Sequence, residues 1–268
     1  MNRALKEIAK AVLPAAVVAE WQVRRGLRGG VDPELQLLPA LARGGVFLDV
    51  GANVGTWCGR AARMFAEVHA FEPLASLAAA LRRAVPANVT VHELALSDRD
   101  GRGRFAVPIY RGQALTTRAS LERDANEGTD GEAIYEVMLA RLDGLALHDV
   151  DVIKIDVEGH EAAVVAGARQ TIERERPTLI VEIEERHHPG RSEQTIEELV
   201  SQGYFCCYLR NGRIENFRPG SIDMLQPRAG QPVPGRGAVD YVNNFIFVPA
   251  ERGHEIEALE RFLTLLPH

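Results

Sequence analysis

Short apolar runs recur along the middle of the chain, at residues 46–50, 67–71, 89–94, 152–157 and 178–183, and Val, Ile, Leu, Ala and Phe dominate them. Runs of this length and composition predict strands buried on both faces. The intervening segments 56–65, 74–84, 161–175 and 195–202 read as helices. Strands alternating with such helices predict βαβ units, and so an α/β domain on a parallel sheet. The rhythm breaks between 97 and 142. There, 102–107 alternates like an exposed strand, 118–131 is polar and loop-like, and 133–140 again reads as a strand. A hairpin-like insertion at about 99–142, with a mobile loop near its middle, is expected. Asn211-Gly212, between stretches 204–209 and 214–217, predicts a hairpin turn. Residues 244–248 predict a late strand, and the Pro- and Gly-rich 218–237 a surface loop.

Ahead of the alternation, residues 1–28 read as helix and 32–42 as a second, short helix, with Asp32 as N-cap and Pro33 at its first position. Gly44 and Gly45 end it. The expected organisation is an N-terminal helical extension (1–44), a main domain (45–250) and a C-terminal helix (251–268). Lys6 and Lys10 precede the apolar run 11–19, as in a secretion signal, but the run is short, holds Pro14 and leads into Glu20, Trp21, Arg24 and Arg25. An amphipathic helix that packs on the domain, or touches a membrane surface, fits better. No stretch is long and apolar enough to span a bilayer.

Composition narrows the partners. At 268 residues the chain suits one sizeable domain. Its net charge of −6 supplies no basic excess to neutralise phosphates, which argues against a nucleic-acid partner. Cys58, Cys206 and Cys207 show no metal-type spacing, and reduced thiols in a cytoplasmic protein are expected. A homo-oligomer stays open.

The sharpest local signal is FLDVGANVG, residues 47–55, between the first strand and the first helix. An open α/β sheet binds nucleotide-like ligands there, beyond the carboxyl ends of its strands. Gly51 allows close backbone approach, and Gly55 close packing of helix on strand. With Ala52 and Asn53 they form the candidate cofactor loop. The spacing is neither that of a dinucleotide fingerprint nor that of a P-loop. Asp49 beside the loop suits a positively charged sulfonium better than a phosphate. Glu72, followed by Pro73 at the end of the second strand and about twenty residues beyond the loop, is placed to accept hydrogen bonds from ribose hydroxyls. Ala95, Leu96 and Ser97, after the third strand, border an expected adenine site.

Together these blocks resemble the FkbM family of methyltransferases. The resemblance rests on FLDVGANVG (47–55), AFEP (70–73), ELALSD (93–98) with Gly101 and Phe105, and VDVIKIDVEGHEAAVVAGA (150–168). PTLIVEIEE (177–185) and ARLD (140–143) match more weakly. It covers about 45–185, and the IKIDVEGHE run is its most specific part. The resemblance implies a class I methyltransferase fold, Rossmann-like, with a seven-stranded, mostly parallel sheet whose last strand is antiparallel. It implies S-adenosylmethionine as methyl donor, and as acceptor a hydroxyl on a glycan, secondary metabolite or other small molecule. Substrate identity would lie in the flanks, 1–44 and 186–268.

Methyl transfer is an in-line displacement, which is mainly a positioning task, and an alcohol acceptor also gains from a general base. Lys154, Asp156 and Glu158 alternate with Ile153, Ile155 and Val157, so period two groups the charges on one face or at the strand tip. Asp156, Glu158 and His160 are the catalytic candidates, with Asp156 also placed to meet the donor's amino group or the acceptor. Lys154 is expected to pair with Asp156 or a Glu. Glu182 and Glu184, with Asp156, make either an oxygen-ligand set for Mg²⁺ or acids lining a sugar-hydroxyl pocket, and the second is preferred. His187 and His188 are expected in a solvated loop, and Trp57 and Cys58 in the core. Two rivals to a methyltransferase are a nicotinamide-dependent oxidoreductase, disfavoured by the glycine spacing and the lack of a Tyr-x-x-x-Lys pair, and a non-catalytic binding module.

Overall fold

A computed structural model describes residues 15–29, 32–110, 112–122, 130–187, 189–227 and 241–266. The main sheet holds eight strands. In chain order they are β1 (Val46–Val50), β2 (Glu67–Phe71), β3 (Val89–His92), β8 (Val150–Ile155), β9 (Thr178–Glu182), β10 (Tyr204–Arg210), β11 (Arg213–Asn216) and β12 (Asn244–Pro249). Their spatial order is β11-β10-β12-β9-β8-β1-β2-β3. The pairings from β3 across to β9 are parallel, and β12 runs antiparallel to both β9 and β10. The expected mostly parallel sheet with its last strand antiparallel is present. An eighth strand is added because Asn211-Gly212 turns β10 back into an antiparallel edge strand.

The insertion forms a second sheet, in the order β4 (Ala95–Leu96), β7 (Gly131–Ala140), β5 (Gly101–Tyr110) and β6 (Gln113–Ala114). The long β5–β7 antiparallel pair is the expected hairpin, and residues 123–129 of its expected loop lie outside the described residues. The expected third strand is split: β3 stays in the main sheet, and β4 leaves it to pair with β7.

Alternation along each strand sorts the core into two layers. Val46, Leu48 and Val50 of β1 enter one apolar cluster, and Phe47 enters the other. Val152 of β8, Ile180 of β9 and Ile246 of β12 share Phe47's side. By the same parity, Asp49, Lys154, Glu182 and Asn244 also face that side, as a polar stripe across neighbouring strand ends. The N-terminal helix Ala15–Gly26 packs here through Ala19 and Val23, against the helix Ala75–Ala84, with Glu20 and Arg83 paired at 2.8 Å. Residues 1–14 of the expected helix lie outside the described residues. The next segment is a 3₁₀ turn, Pro33–Leu37, followed by a helix Leu38–Leu41. Asp32 makes no cap bond there, because its carboxylate is taken by the Trp57 indole N–H at 2.8 Å.

Two expected helices are shorter than their sequence patterns. The first ends at Ala61. The helix expected at 161–175 divides into Glu161–Gly167 and Arg169–Glu175. A Cβ on Gly167 would stand 1.9 Å from the Ser97 carbonyl oxygen, so this helix end is pressed against the loop after β4. Residues Ile222–Leu225 of the expected surface loop form a short helix, and 228–240 lie outside the described residues. A final helix spans His254–Thr264. No helix among the described residues is long and apolar enough to cross a membrane.

Candidate functional site

A cavity of about 640 Å³ opens at the carboxyl ends of β1, β2 and β8, a size in the range of roughly 300–1,000 Å³ usual for small-molecule sites. Gly51, Ala52, Asn53, Glu72, Pro73, Ala95, Leu96, Asp156, Glu158 and His160 all line it. The structure thus brings four sequence blocks around one space. Asp49, Gly55 and Ser97 do not line it and support it from behind.

The glycine loop is held on both flanks. Gly51 has φ +84°, and a Cβ there would lie 1.9 Å from the Asp156 carbonyl oxygen. Only glycine lets the loop after β1 meet the tip of β8 at this distance. On the other flank, Glu72 accepts from the Asn53 N–H through Oε2 and from the Leu74 N–H through Oε1, each at 2.8 Å. Each carboxylate oxygen keeps a lone pair for a further donor. Burial pushes the Glu72 carboxyl up to about 7, against the two amide bonds. Asp49 points away from the cavity and accepts from the Cys58 N–H at 2.8 Å, so it satisfies a free donor in the first turn of the next helix. Burial raises it to about 6. Trp57 lines the cavity as well as filling the core, and Cys58 is buried.

The opposite corner is built around Lys154. Its ammonium is 1% exposed and lies 3.9 Å from both Asp156 Oδ2 and Glu182 Oε2. It donates to Asn244 Oδ1 at 3.0 Å and to the Ile155 carbonyl at 3.2 Å, and it sits 5.5 Å from the centre of the Trp57 ring. Burial would lower its pKa, but the carboxylates of Asp156, Glu182, Asp32 and Glu34 raise it. Asp156 opens a third of its side chain to the cavity while sitting deep in the protein. Burial and the neighbouring Glu182 hold its carboxyl well above the usual range, with Lys154 opposing. Burial lifts Glu182 to about 7 despite Lys154.

Lys154 pairs with Asp156 and Glu182, as expected of it, and Glu158 stays out of that group. It pairs with Arg186 and His187, each at 3.0 Å, rather than with Lys154, because the chain turns at Glu158 (φ +52°) and leaves the strand face. His187 is buried in this pair rather than solvated, and His188 lies outside the described residues. Glu184 is drawn into the same group by Arg186 and His187. The Mg²⁺ expectation is corrected on this ground. Glu184 is taken by cations, and the Lys154 ammonium stands between Asp156 and Glu182. No cluster of three potential ligands forms among the described residues.

His160 bonds through both ring nitrogens, with Nδ1 2.5 Å from Glu122 Oε1 and Nε2 2.9 Å from Ser97 Oγ. The Ser120 hydroxyl donates to the Glu158 carbonyl at 2.6 Å. The second sheet is thereby docked on the loop after β8, and Glu161 folds back to accept from the Gly159 N–H at 3.0 Å. Phe105, Thr116, Ala119 and Leu121 of the insertion line the cavity, as do Gln22, Arg25 and Asp32 of the N-terminal segment and Glu182. The sequence patterns gave the insertion and the N-terminal segment no cofactor role. The one available signal was strand parity, which puts Glu182 on the face of Lys154.

The chain matches the model for the methyltransferase FkbM domain over residues 49–206. No curated protein matches it. Among solved structures, the FkbM methyltransferase of Methylobacillus flagellatus KT is 16% identical, with 76% of this chain and 43% of that one covered and a TM-score of 0.43. The present chain thus spans less than half the length of that relative. A precorrin-6y C5,15-methyltransferase from Geobacter metallireducens GS-15 is 13% identical over 80% of this chain and 86% of that one, with a TM-score of 0.40. A precorrin 8W decarboxylase from Methanobacterium thermoautotrophicum is 15% identical over 82% and 90%, also with a TM-score of 0.40.

Proposed function

Since this chain belongs to the FkbM methyltransferase domain family, which matches more than half of it, we propose that it uses S-adenosylmethionine to methylate a hydroxyl oxygen on a glycan or secondary metabolite. The observation that carries the reading is Glu72, a buried carboxylate on the cavity wall, fixed by two backbone amides and aimed beside the glycine loop. A vicinal pair of ribose hydroxyls is the natural donor to its remaining lone pairs. The residues fit the donor in charge as well: the lining carries Asp32, Glu72, Asp156, Glu158 and Glu182, and a sulfonium is cationic. When bound, the donor supplies an electrophilic methyl group on positively charged sulfur.

The chain's own residues then have three tasks. Gly51 to Asn53 and Glu72 orient the nucleoside, while Ala95 and Leu96 border its base. Ser97 and Glu122 hold the His160 ring, and Asp49 holds the helix behind the loop. Asp156, beside Lys154 and open to the cavity, is placed to take the acceptor's hydroxyl proton, and Glu158 and His160 line the same wall. Within this proposal the chain divides into an N-terminal extension (1–44), a main domain (45–250) and a terminal helix (251–268). Three unpaired, buried thiols support a reducing compartment, the cytoplasm.

Isothermal titration with S-adenosylhomocysteine and NAD tests the donor. Micromolar binding of the first without the second is the expected result, and the reverse would replace this reading with a dehydrogenase. Labelled donor incubated with glycan precursors and metabolite extracts then tests the acceptor. Label recovered on nitrogen or carbon instead of oxygen would overturn the hydroxyl assignment.

A further inference from the structure

The segment preceding β1 reaches the cavity with two charges of opposite sign, Arg25 and Asp32. Its placement is rigid. A Cβ on Gly26 would lie 2.4 Å from the Val54 carbonyl oxygen, so the last turn of the N-terminal helix rests directly on the glycine loop. Leu27 fills the space beside Gly55 and Gly59. Arg25 is the fully cationic side chain among the described lining residues. Its guanidinium lies 5.9 Å from the Trp21 ring and has no carboxylate partner among the described residues. Asp32 is fixed by the Trp57 indole, whose ring also sits beside the Lys154 ammonium.

The other acids of the lining are accounted for unevenly. Glu158 is neutralised by Arg186 and His187, and Glu72 is held by amides. Asp32, Asp156 and Glu182 have Lys154 as their shared cation, and Asp32 is near enough to disfavour ionisation of the other two. One wall therefore sets three acids against one shared cation, while Arg25 on the adjoining wall has no carboxylate partner among the described residues. A ligand end carrying an ammonium and a carboxylate on one carbon would satisfy both.

We propose that the segment before β1 forms the amino-acid end of the donor site, with Arg25 taking the α-carboxylate of the donor and Asp32, backed by Asp156 and Glu182, taking its α-ammonium. The assignment rests on S-adenosylmethionine being the donor. It makes the N-terminal helix a binding element as well as a packed extension.

The test is isothermal titration of the full chain with two probes, S-adenosylhomocysteine and 5′-methylthioadenosine, which keeps the adenosine and thioether but lacks the amino-acid end. Arg25→Ala places a good helix former at an exposed site, and Asp32→Asn keeps an oxygen for the Trp57 N–H while removing the charge. Each variant is expected to bind S-adenosylhomocysteine about tenfold or more weakly, the loss of one charged hydrogen bond, and 5′-methylthioadenosine as the wild type does. Equal weakening of both probes, or of neither, overturns the assignment while leaving the donor reading intact. A wild type that binds neither probe overturns both.

Discussion

Two corners of one cavity hold acids in opposite ways. Glu72 is fixed by two backbone amides, that of Leu74 beside it in sequence and that of Asn53 on the loop after the neighbouring strand β1. Asp156 and Glu182 are fixed by a side chain, the buried Lys154, whose other partner is Asn244. The amide-held carboxylate needs only β1 and β2 side by side. A lysine-held pair needs three strands, β8, β9 and β12, in register, and each member leaves the others unpaired when it is lost. The first corner is robust and suited to a constant task, such as holding a nucleoside. The second is a balanced charge group, where a proton or a cationic ligand changes the energy of every member.

The sharpest way to break this contrast is to remove the lysine. Lys154→Met leaves two acids without their cation, and a loss of about 3–5 kcal/mol is expected in urea unfolding. Wild-type stability in this variant would show that the acids stand neutral without the lysine. At the other corner, Glu72→Ala is expected to weaken both S-adenosylhomocysteine and 5′-methylthioadenosine by roughly ten- to a hundredfold, the range for lost hydrogen bonds to a charged group. Loss confined to the first probe would move Glu72 away from the ribose.

Raised carboxyl pKa values are common to both corners. Glu72 and Glu182 each stand at about 7, above the ordinary 4.5. A carboxyl raised on folding binds its proton more tightly in the native state. Its contribution is therefore full below about pH 4.5 and is lost as pH rises through about 7. The urea midpoint of the unliganded protein should fall across that window, and Glu72→Gln should flatten the fall. A midpoint that rises instead would contradict the burial argument. The smallest effect is expected far from the cavity. Arg102→Ala breaks an exposed pair with Glu136 on the second sheet, and should change stability by at most about 0.5–1 kcal/mol without changing donor affinity.

The same contrast explains what was legible in the sequence. The glycine loop and Glu72 are local, so their spacing alone placed them on one cavity. The five parallel strands were equally plain, because burial on both faces leaves an uninterrupted apolar run. Parity could not show where Asp49 points, since it shares a face with both Phe47 and Glu182; only the folded chain shows its carboxylate accepting from the Cys58 N–H instead of lining the cavity. The Arg186 and His187 pairing of Glu158 was invisible, since a positive-φ turn re-aims the side chain. The break of the helix at Gly167 was invisible too, since only the folded chain brings Ser97 against it.

The missing side chain of Gly51 has a consequence for anyone re-engineering this protein. Because a Cβ there would meet the Asp156 carbonyl oxygen, the glycine loop and the tip of β8 form one mechanical part, and diversity introduced at either position spoils both. The sides formed by Phe105, Ala119 and Leu121 belong to the insertion that carries the second sheet, docked through Ser120 and Glu122. If the proposed function holds, a library aimed at a new acceptor belongs there, where side chains can be exchanged without disturbing the glycine loop.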